Sequence, residues 1–198
     1  MAYDAAFFDL YKGYLGEPLV RSAHNAMFGM LFRHLLPARP RILDLGCGIG
    51  ELVNFYLADY AYFGVDAKSH GPHCDAELDY TSDDLFRLLP QMPFYPNCFI
   101  SLFSAECCLS ADDKYELYGN LFADWPTVTC GLVSGFYYRS RAAQEKVAEV
   151  GGIESYQTIE KAVDYGSSLF TEFRCEMAVP SKMFGDDVVE VWKLLECR

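Results

Sequence analysis

The fold is decided by one stretch of sequence, Arg41-Ile42-Leu43-Asp44-Leu45-Gly46-Cys47-Gly48-Ile49-Gly50. Its first half is an apolar strand, and glycines then occupy every second position. Glycine has no Cβ atom, so it lets the backbone turn sharply and approach a ligand closely. A second apolar run, Tyr62-Phe63-Gly64-Val65, ends in Asp66. A strand, a glycine turn, a helix, a second strand and an acid outline a nucleotide-cofactor site at the edge of a parallel sheet.

The spacing of the glycines indicates which cofactor such a site would hold. A dinucleotide site has the pattern G-x-G-x-x-G, and its pyrophosphate lies on the N-terminus of the following helix. Here the pattern is G-x-G-x-G, and Glu51, which begins a helix predicted over 51–58, would repel a pyrophosphate. Asp44 is well placed to accept from an ammonium group, and Asp66 to accept from both hydroxyls of a ribose. S-adenosylmethionine has a ribose, an amino-acid ammonium and no phosphate.

These residues resemble those of a known family. Asp44-Leu45-Gly46-Cys47-Gly48-Ile49-Gly50 is similar to motif I of the class I S-adenosylmethionine-dependent methyltransferases, and Val65-Asp66 is similar to their motif II acid. The resemblance covers roughly 40–135. It implies a Rossmann-like α/β fold, with a seven-stranded, mostly parallel sheet, helices on both faces and N-terminal lid helices. It also implies S-adenosylmethionine as cofactor and methyl transfer as activity, but it says little about the acceptor.

The chain is expected to form one domain, because 198 residues suit a single sizeable core. Within it, the resemblance implies a helical lid over 1–38 and a Rossmann-like core over 39–198. The apolar runs predict strands at 41–45, 60–66, 76–79, 98–104, 127–136, 169–179 and 188–196. Helices are predicted over 19–36, from the cap Ser110 to 124, and over 141–149. The segment 151–166 is either an insertion that shapes the acceptor pocket or a connector.

Candidate cofactor residues follow from the strand ends and from the resemblance. In an open α/β sheet, ligands bind beyond the carboxyl ends of the strands, near the point where the strand order reverses. The predicted cofactor contacts are Tyr11, Arg21, Asp44, Gly46, Cys47, Gly48, Asp66, Ala67, Asp79, Tyr80 and Ser104. The resemblance places Asp79 and Tyr80 at the adenine. Arg21 would pair with the cofactor carboxylate or with a substrate acid, and a tyrosine ring such as that of Tyr11 suits a sulfonium through cation–π attraction.

Two residues are catalytic candidates. Glu106 follows the fourth predicted strand, where the family often places substrate-facing groups, and it would serve as a base or orient the acceptor. Tyr138 follows the fifth. The alternative interpretation of Glu106 is a solvated acid at a helix cap, and that of Tyr138 is an aromatic ring packed in the structure. The run Ser104-Ala105-Glu106-Cys107 differs from the Asn/Asp-Pro-Pro-Tyr run of methyltransferases that act on exocyclic amines, which argues against such an acceptor.

Charge and hydropathy restrict the partners. A formal net charge of −12 disfavours DNA, RNA and anionic membranes as partners, so a small-molecule acceptor is expected. No apolar stretch approaches the roughly 20 residues that span a bilayer. The N-terminus, Met1-Ala2-Tyr3-Asp4, lacks the basic region of a signal peptide. These features predict a cytoplasmic protein.

The cysteines and histidines do not predict a metal centre. The chain has eight cysteines and no C-x-x-C pair, which is typical of reduced thiols that pack as small apolar groups. His70, His73 and Cys74 are metal-ligand types at close spacing, but no second cluster clearly completes four ligands. His24 and His34, in the second helix, are interpreted as structural.

Several functions stay open at this point. The leading hypothesis is a methyltransferase that acts on a small molecule. The alternatives are a protein or peptide methyltransferase, a binding protein that keeps the cofactor but has lost turnover, a nicotinamide-dependent oxidoreductase, and methyl transfer to arsenic or another thiophilic species. The sequence leaves open the acceptor atom, the use of a general base and the oligomeric state.

Overall fold

A computed structural model describes residues 5–34, 37–50, 60–149, 157–159, 170–177 and 186–198. The elements in these ranges are α1 (Ala5–Gly16), α2 (Pro18–His34), β1 (Arg41–Leu45), β2 (Ala61–Asp66), β3 (Ala76–Glu77), α3 (Asp83–Leu88), a 3-10 helix (Leu89–Gln91), β4 (Cys98–Leu102), α4 (Ala105–Cys108), α5 (Ala111–Asp124), β5 (Cys130–Tyr138), α6 (Arg141–Glu149), β6 (Gln157–Thr158), β7 (Phe170–Met177) and β8 (Val188–Cys197). The predicted helix over 51–58 and most of the segment 151–166 lie outside the described residues.

One mostly parallel sheet contains all the described strands. Its order is β3-β2-β1-β4-β5-β8-β7, and β6 pairs with the carboxyl end of β5. The strands from β1 to β6 pair in parallel, whereas β8 runs antiparallel to both β5 and β7. The predicted α/β architecture is therefore confirmed. The sheet has eight strands in the described ranges, where seven were predicted, because the two-residue β6 gave no readable apolar pattern.

Helices pack on both faces of the sheet, as predicted. Side chains alternate between the two faces along a strand, so in β1 Ile42 packs on the side of α1 and α2, whereas Leu43 and Leu45 pack on the side of α5. From the helices, Tyr14, Val20 and Phe28 cover the first face, and Leu117, Leu121 and Phe122 cover the second. Strands β1, β4 and β5 are thus buried on both sides, which explains their continuous apolar sequence.

Most predicted element boundaries lie within a few residues of those in the structure. Strand β5 begins at Cys130 and ends at Tyr138, later than predicted at both ends, and β3 comprises only Ala76 and Glu77. The predicted cap of α5 is confirmed, because the Ser110 hydroxyl accepts a hydrogen bond from the Asp113 amide at 3.2 Å.

The glycine turn after β1 adopts a left-handed backbone. Gly46, Gly48 and Gly50 have φ angles of 75°, 56° and 70°, a region that residues with a Cβ atom rarely adopt. The amides of Gly46 and Cys47 both donate to the Val65 carbonyl, at 2.8 and 3.1 Å, which fixes the turn on the end of β2. A Cβ atom at Gly46 would lie 1.8 Å from the Ser104 hydroxyl oxygen. Both the backbone angle and the space therefore require glycine at this position.

The variant Gly46→Ala tests this requirement. We expect a loss of at least about 1–2 kcal/mol in the free energy of unfolding, the cost of a left-handed residue with a Cβ atom, measured by urea denaturation. Gly13→Ala is the matched control, since a Cβ atom at Gly13 in α1 meets nothing within 4 Å and alanine favours a helix. Equal stability of the two variants would contradict the described turn.

Candidate functional site

A cleft lies at the carboxyl ends of β1, β2 and β4, beside the point where the strand order reverses. Its volume is about 350 Å³. The residues that line it are Phe8, Tyr11, Asp44, Gly46, Cys47, Gly48, Ile49, Gly50, Asp66, Ala67, Lys68, His70, Asp79, Tyr80, Thr81, Leu102, Phe103, Ser104, Cys108 and Leu109. The structure thus brings together all the predicted cofactor contacts except Arg21.

Asp66 connects the second strand to the glycine turn. The Gly48 amide donates to Asp66 Oδ2 at 2.8 Å, so this carboxylate holds the turn in place at the edge of the cleft. A carboxylate oxygen can accept more than one hydrogen bond. Asp66 is therefore still able to accept from a ligand hydroxyl, and Ala67 lies next to it in the cleft lining.

Asp44 is an acid buried at the bottom of the turn. Its side chain is 5% exposed, and the Tyr62 hydroxyl donates to Asp44 Oδ2 at 2.7 Å. Burial raises the pKa of Asp44 to about 7; the hydrogen bond from Tyr62 opposes this rise, and the nearby charge of Asp66 adds to it. A cation in the cleft beside Asp44 would favour the ionised carboxylate.

The loop after β3 supplies the next part of the wall. The Asp79 carboxylate accepts from both the amide and the hydroxyl of Thr81, at 3.0 and 2.7 Å, which fixes the backbone there. The Tyr80 and Ser104 hydroxyls are hydrogen-bonded to each other at 3.0 Å. This bond links the β3 loop to Ser104, two residues after the end of β4, so the two sides of the cleft are held together.

Helix α1 crosses the carboxyl edge of the sheet. The ring of Phe8 lies 4.4 Å from that of His70, and a Cβ atom at Gly48 would be 3.2 Å from Phe8 Cε1. One turn further along the helix, Tyr11 contacts Phe103 edge-on at 6.0 Å between ring centroids. The helix therefore covers the cleft with successive aromatic residues of one face. That it opens as a lid stays a prediction.

Phe103 was missed by sequence reasoning. With φ 57°, it is the one non-glycine residue in the left-handed region among the described residues. Its ring stacks on Phe136 at 4.3 Å with an interplanar angle of 13°. Such a conformation costs about 1–3 kcal/mol and persists where the surroundings impose it, often at functional sites. No sequence pattern predicts it, because Phe is not a residue type that favours positive φ.

Glu106, which was predicted as a catalytic group, is not among the residues that line the cleft. The single turn of α4 buries it on the α5 side of the sheet. The Tyr118 and Tyr137 hydroxyls donate to its two oxygens at 3.1 and 2.6 Å. Lys193 Nζ and Lys114 Nζ lie 3.3 and 3.6 Å from its Oε2 atom. Glu106 is the centre of a buried ionic cluster and part of the core.

Two further predicted residues lie outside the cleft lining. Tyr138 is 1% exposed and packs in the core beneath α1 and α2, because its position in β5 directs the ring to that face. Arg21 is exposed on α2, whereas Val20 and His24 of the same helix are buried. Successive residues of a helix are rotated by about 100° around its axis, and this rotation turns Arg21 from the buried side to solvent.

The described residues include no group of three metal-ligand side chains arranged to hold an ion. The ring of His70 packs on Phe8 of α1. His73 packs on the glycine turn, since a Cβ atom at Gly50 would lie 2.6 Å from His73 Cβ. Among the cysteines whose side chains are described, Cys47, Cys74, Cys98, Cys130 and Cys197 are free thiols. None of the described helices is long and apolar enough to cross a membrane.

Comparison with known proteins identifies the fold. No family model and no curated protein matches the sequence. Among solved structures, magnesium protoporphyrin IX methyltransferase from Synechocystis PCC 6803 with bound SAH (S-adenosylhomocysteine) is similar over 98% of this chain and 95% of its own, with 14% identity and a TM-score of 0.59. The plantazolicin methyltransferase BpumL in complex with SAH is similar over 98% and 91%, with 13% identity and a TM-score of 0.56.

A third similar structure is a cyclopropane-fatty-acyl-phospholipid synthase-like protein from Lactobacillus casei, which has 15% identity, a TM-score of 0.57 and coverage of 90% and 91%. The chain therefore has the Rossmann-like α/β fold of the class I S-adenosylmethionine-dependent methyltransferases.

The role of Glu106 in the core can be tested with Glu106→Gln. Removing the charge takes the nearest carboxylate away from two buried lysines, and Lys193 then has only the more distant Glu172 at 3.9 Å, so we expect a loss of about 3–5 kcal/mol in the free energy of unfolding. Glu145→Gln is the control, because its pairing with Arg141 is solvent-exposed and should contribute little. If the two variants unfold at the same urea concentration, Glu106 is not the structural centre described above.

Proposed function

We propose that this protein is an S-adenosylmethionine-dependent methyltransferase that acts on a small, largely apolar acceptor. The observation that carries the proposal is the pair of acids in the cleft. Asp44 and Asp66 lie on either side of a left-handed glycine turn, at the position in the sheet where α/β folds bind ligands. The fold of the similar structures supports the same class of activity.

The residues of the cleft fit this cofactor better than a dinucleotide. Asp44 offers a buried carboxylate to an ammonium group, and Asp66 and Asp79 offer acceptors to hydroxyl and amine groups. The lining contains one lysine, Lys68, against these three acids. Carboxylates repel a pyrophosphate, so the charge of the lining argues against a nicotinamide-dependent oxidoreductase.

The chain contributes positioning and exclusion of water. When bound, S-adenosylmethionine supplies a methyl group that its sulfonium already activates. Asp44 would hold the ammonium group of the cofactor and Asp66 its ribose hydroxyls, and Phe8, Tyr11 and Phe103 would keep water from the reacting atoms. A general base is needed only when the acceptor must lose a proton. Because Glu106 and Tyr138 lie outside the cleft, we assign neither of them this role.

The acceptor class follows from the part of the cleft next to β4. The lining there consists of Leu102, Phe103, Ser104, Cys108 and Leu109, with Tyr11 of α1 above. None of these side chains carries a charge at neutral pH. These properties favour a neutral, apolar acceptor group that enters beside the cofactor.

A peptide acceptor is the second candidate, and one observation favours it. A polar groove of about 580 Å³ adjoins the cleft and shares Thr81 and Leu109 with it. Its acids are Asp83, Asp113, Glu116 and Asp124, and Arg87 is its one basic residue. A basic segment lying in this groove would reach the cleft, so lysine- and arginine-rich peptides belong in an acceptor screen.

The cofactor assignment is tested by calorimetric titration with S-adenosylmethionine, S-adenosylhomocysteine and NAD. We expect the first two to bind with micromolar affinity and Asp66→Ala to weaken them at least about tenfold, the effect of losing one charge-assisted hydrogen bond. Asp84→Ala removes the same charge from the exposed Asp84–Arg87 pair and should change neither affinity. Binding of NAD alone would contradict the proposal.

The pKa of Asp44 gives the binding a defined pH dependence. Because that pKa is about 7 in the free protein, binding of an ammonium group requires loss of the Asp44 proton. We expect the affinity for S-adenosylhomocysteine to rise as the pH increases from about 6 to about 8, and binding near pH 7 to release protons. Asp44→Asn should bind more weakly and show no such rise.

The same pKa affects stability in the opposite sense. A carboxyl whose pKa is raised by folding stabilises the fold at low pH and loses this contribution as the pH rises through about 7. The free energy of unfolding of the free protein, measured by urea denaturation, should therefore fall as the pH rises toward about 7. In Asp44→Asn this fall should be absent.

For ligand binding, a wild-type affinity that does not change with pH would contradict the role of Asp44.

A further inference from the structure

A second buried carboxylate, Glu190 of β8, lies on the face of the sheet that α1 and α2 cover, and it is 1% exposed. The Tyr14 hydroxyl of α1 donates to Glu190 Oε1. His24 Nε2 of α2 lies 2.9 Å from both carboxylate oxygens, and the Trp192 indole N–H donates to Oε2 at 2.8 Å. One side chain thus connects both N-terminal helices to the sheet.

This network accounts for a polar group in an apolar layer. A buried carboxylate is costly unless hydrogen-bond donors surround it, and here three donors converge on Glu190. Burial and the proximity of Glu190 raise the pKa of the Tyr14 hydroxyl, so it remains a protonated donor at physiological pH. His24, which the sequence indicated as structural, has its role in this network.

The network is continuous with the wall of the cleft. On α1, Tyr14 lies one turn after Tyr11, and the two rings stack at 6.3 Å between centroids. The ring of His24 lies 6.0 Å from Phe103. Tyr11 and Phe103 line the cleft, so each of the two helical donors to Glu190 contacts a cleft residue directly.

We propose that Glu190 is a positioning residue for the cleft. By accepting hydrogen bonds from Tyr14 and His24, it anchors α1 and α2 to β8 and thereby holds Tyr11 and Phe103 at the cleft. Only the identity of the ligand used below rests on the function proposed above. When the anchor weakens, α1 separates from the sheet more often, and a bound ligand leaves faster.

The experiment compares two tyrosine variants that each remove one hydroxyl from a buried carboxylate. Tyr14→Phe removes a donor to Glu190, and the control Tyr137→Phe removes a donor to Glu106 on the opposite face. The first readout is amide hydrogen exchange of residues 5–16 in the free protein. The second is the dissociation rate of S-adenosylhomocysteine in stopped flow. We expect Tyr14→Phe to raise both by about tenfold and Tyr137→Phe to change neither.

A third variant verifies that the network itself is probed. Glu190→Gln keeps the size of the side chain, and it should shift the indole N–H resonance of Trp192 but not that of Trp125 in a ¹H–¹⁵N spectrum. If Tyr14→Phe does not fold, His24→Gln with exchange over residues 18–34 replaces it, against the same control.

The outcomes separate the two proposals. If the wild-type protein does not bind S-adenosylhomocysteine, the proposed function fails, and exchange over 5–16 still decides the role of Glu190. If the ligand binds and Tyr14→Phe matches Tyr137→Phe in both readouts, the anchoring role of Glu190 is wrong. Faster exchange of the whole chain, and not of α1 and α2 first, would also overturn it, since it indicates a general loss of stability.

Discussion

The hydrogen bond from the Gly48 amide to the Asp66 carboxylate fixes the geometry on which the cleft depends. It joins the turn after β1 to the end of β2, while the left-handed glycines keep side chains out of the space above. Because Gly46 also packs directly against Ser104 after β4, three strand ends meet around one turn. Asp44 and Asp66 are consequently positioned by the sheet itself, because each belongs to a strand.

Features that depend on local sequence could be predicted. Each of these features follows from residues close together in the chain, where backbone propensity and hydrogen bonding decide the outcome. They are the strand before Gly46, the glycine turn, the acid that ends the second strand and the Ser110 cap. Strand order could be inferred only through the family resemblance. The two-residue β6 could not be predicted, because a strand this short has no periodicity.

Features that depend on side-chain direction could not be predicted. Glu106 was correctly placed after β4. The α4 turn, however, directs its side chain to the α5 face of the sheet and not into the cleft, and two lysines neutralise its charge there. Glu190 and Lys193 carried a signal that was missed, since each interrupts an otherwise apolar strand of sequence and such charges are buried with partners. The two buried carboxylates have different roles. Glu106 stabilises the core, whereas Glu190, in the role proposed for it, positions residues of the cleft.

We propose that the cleft holds S-adenosylmethionine with its ammonium group at Asp44 and its ribose at Asp66. A crystal structure of the protein with S-adenosylhomocysteine tests it most directly. We expect the ribose hydroxyls within hydrogen-bond distance of the Asp66 carboxylate, the ammonium group beside Asp44, and the sulfur facing Phe103. A ligand bound elsewhere, or one whose ribose contacts neither acid, would show that Asp44 and Asp66 do not form the cofactor site, even if the fold were as described.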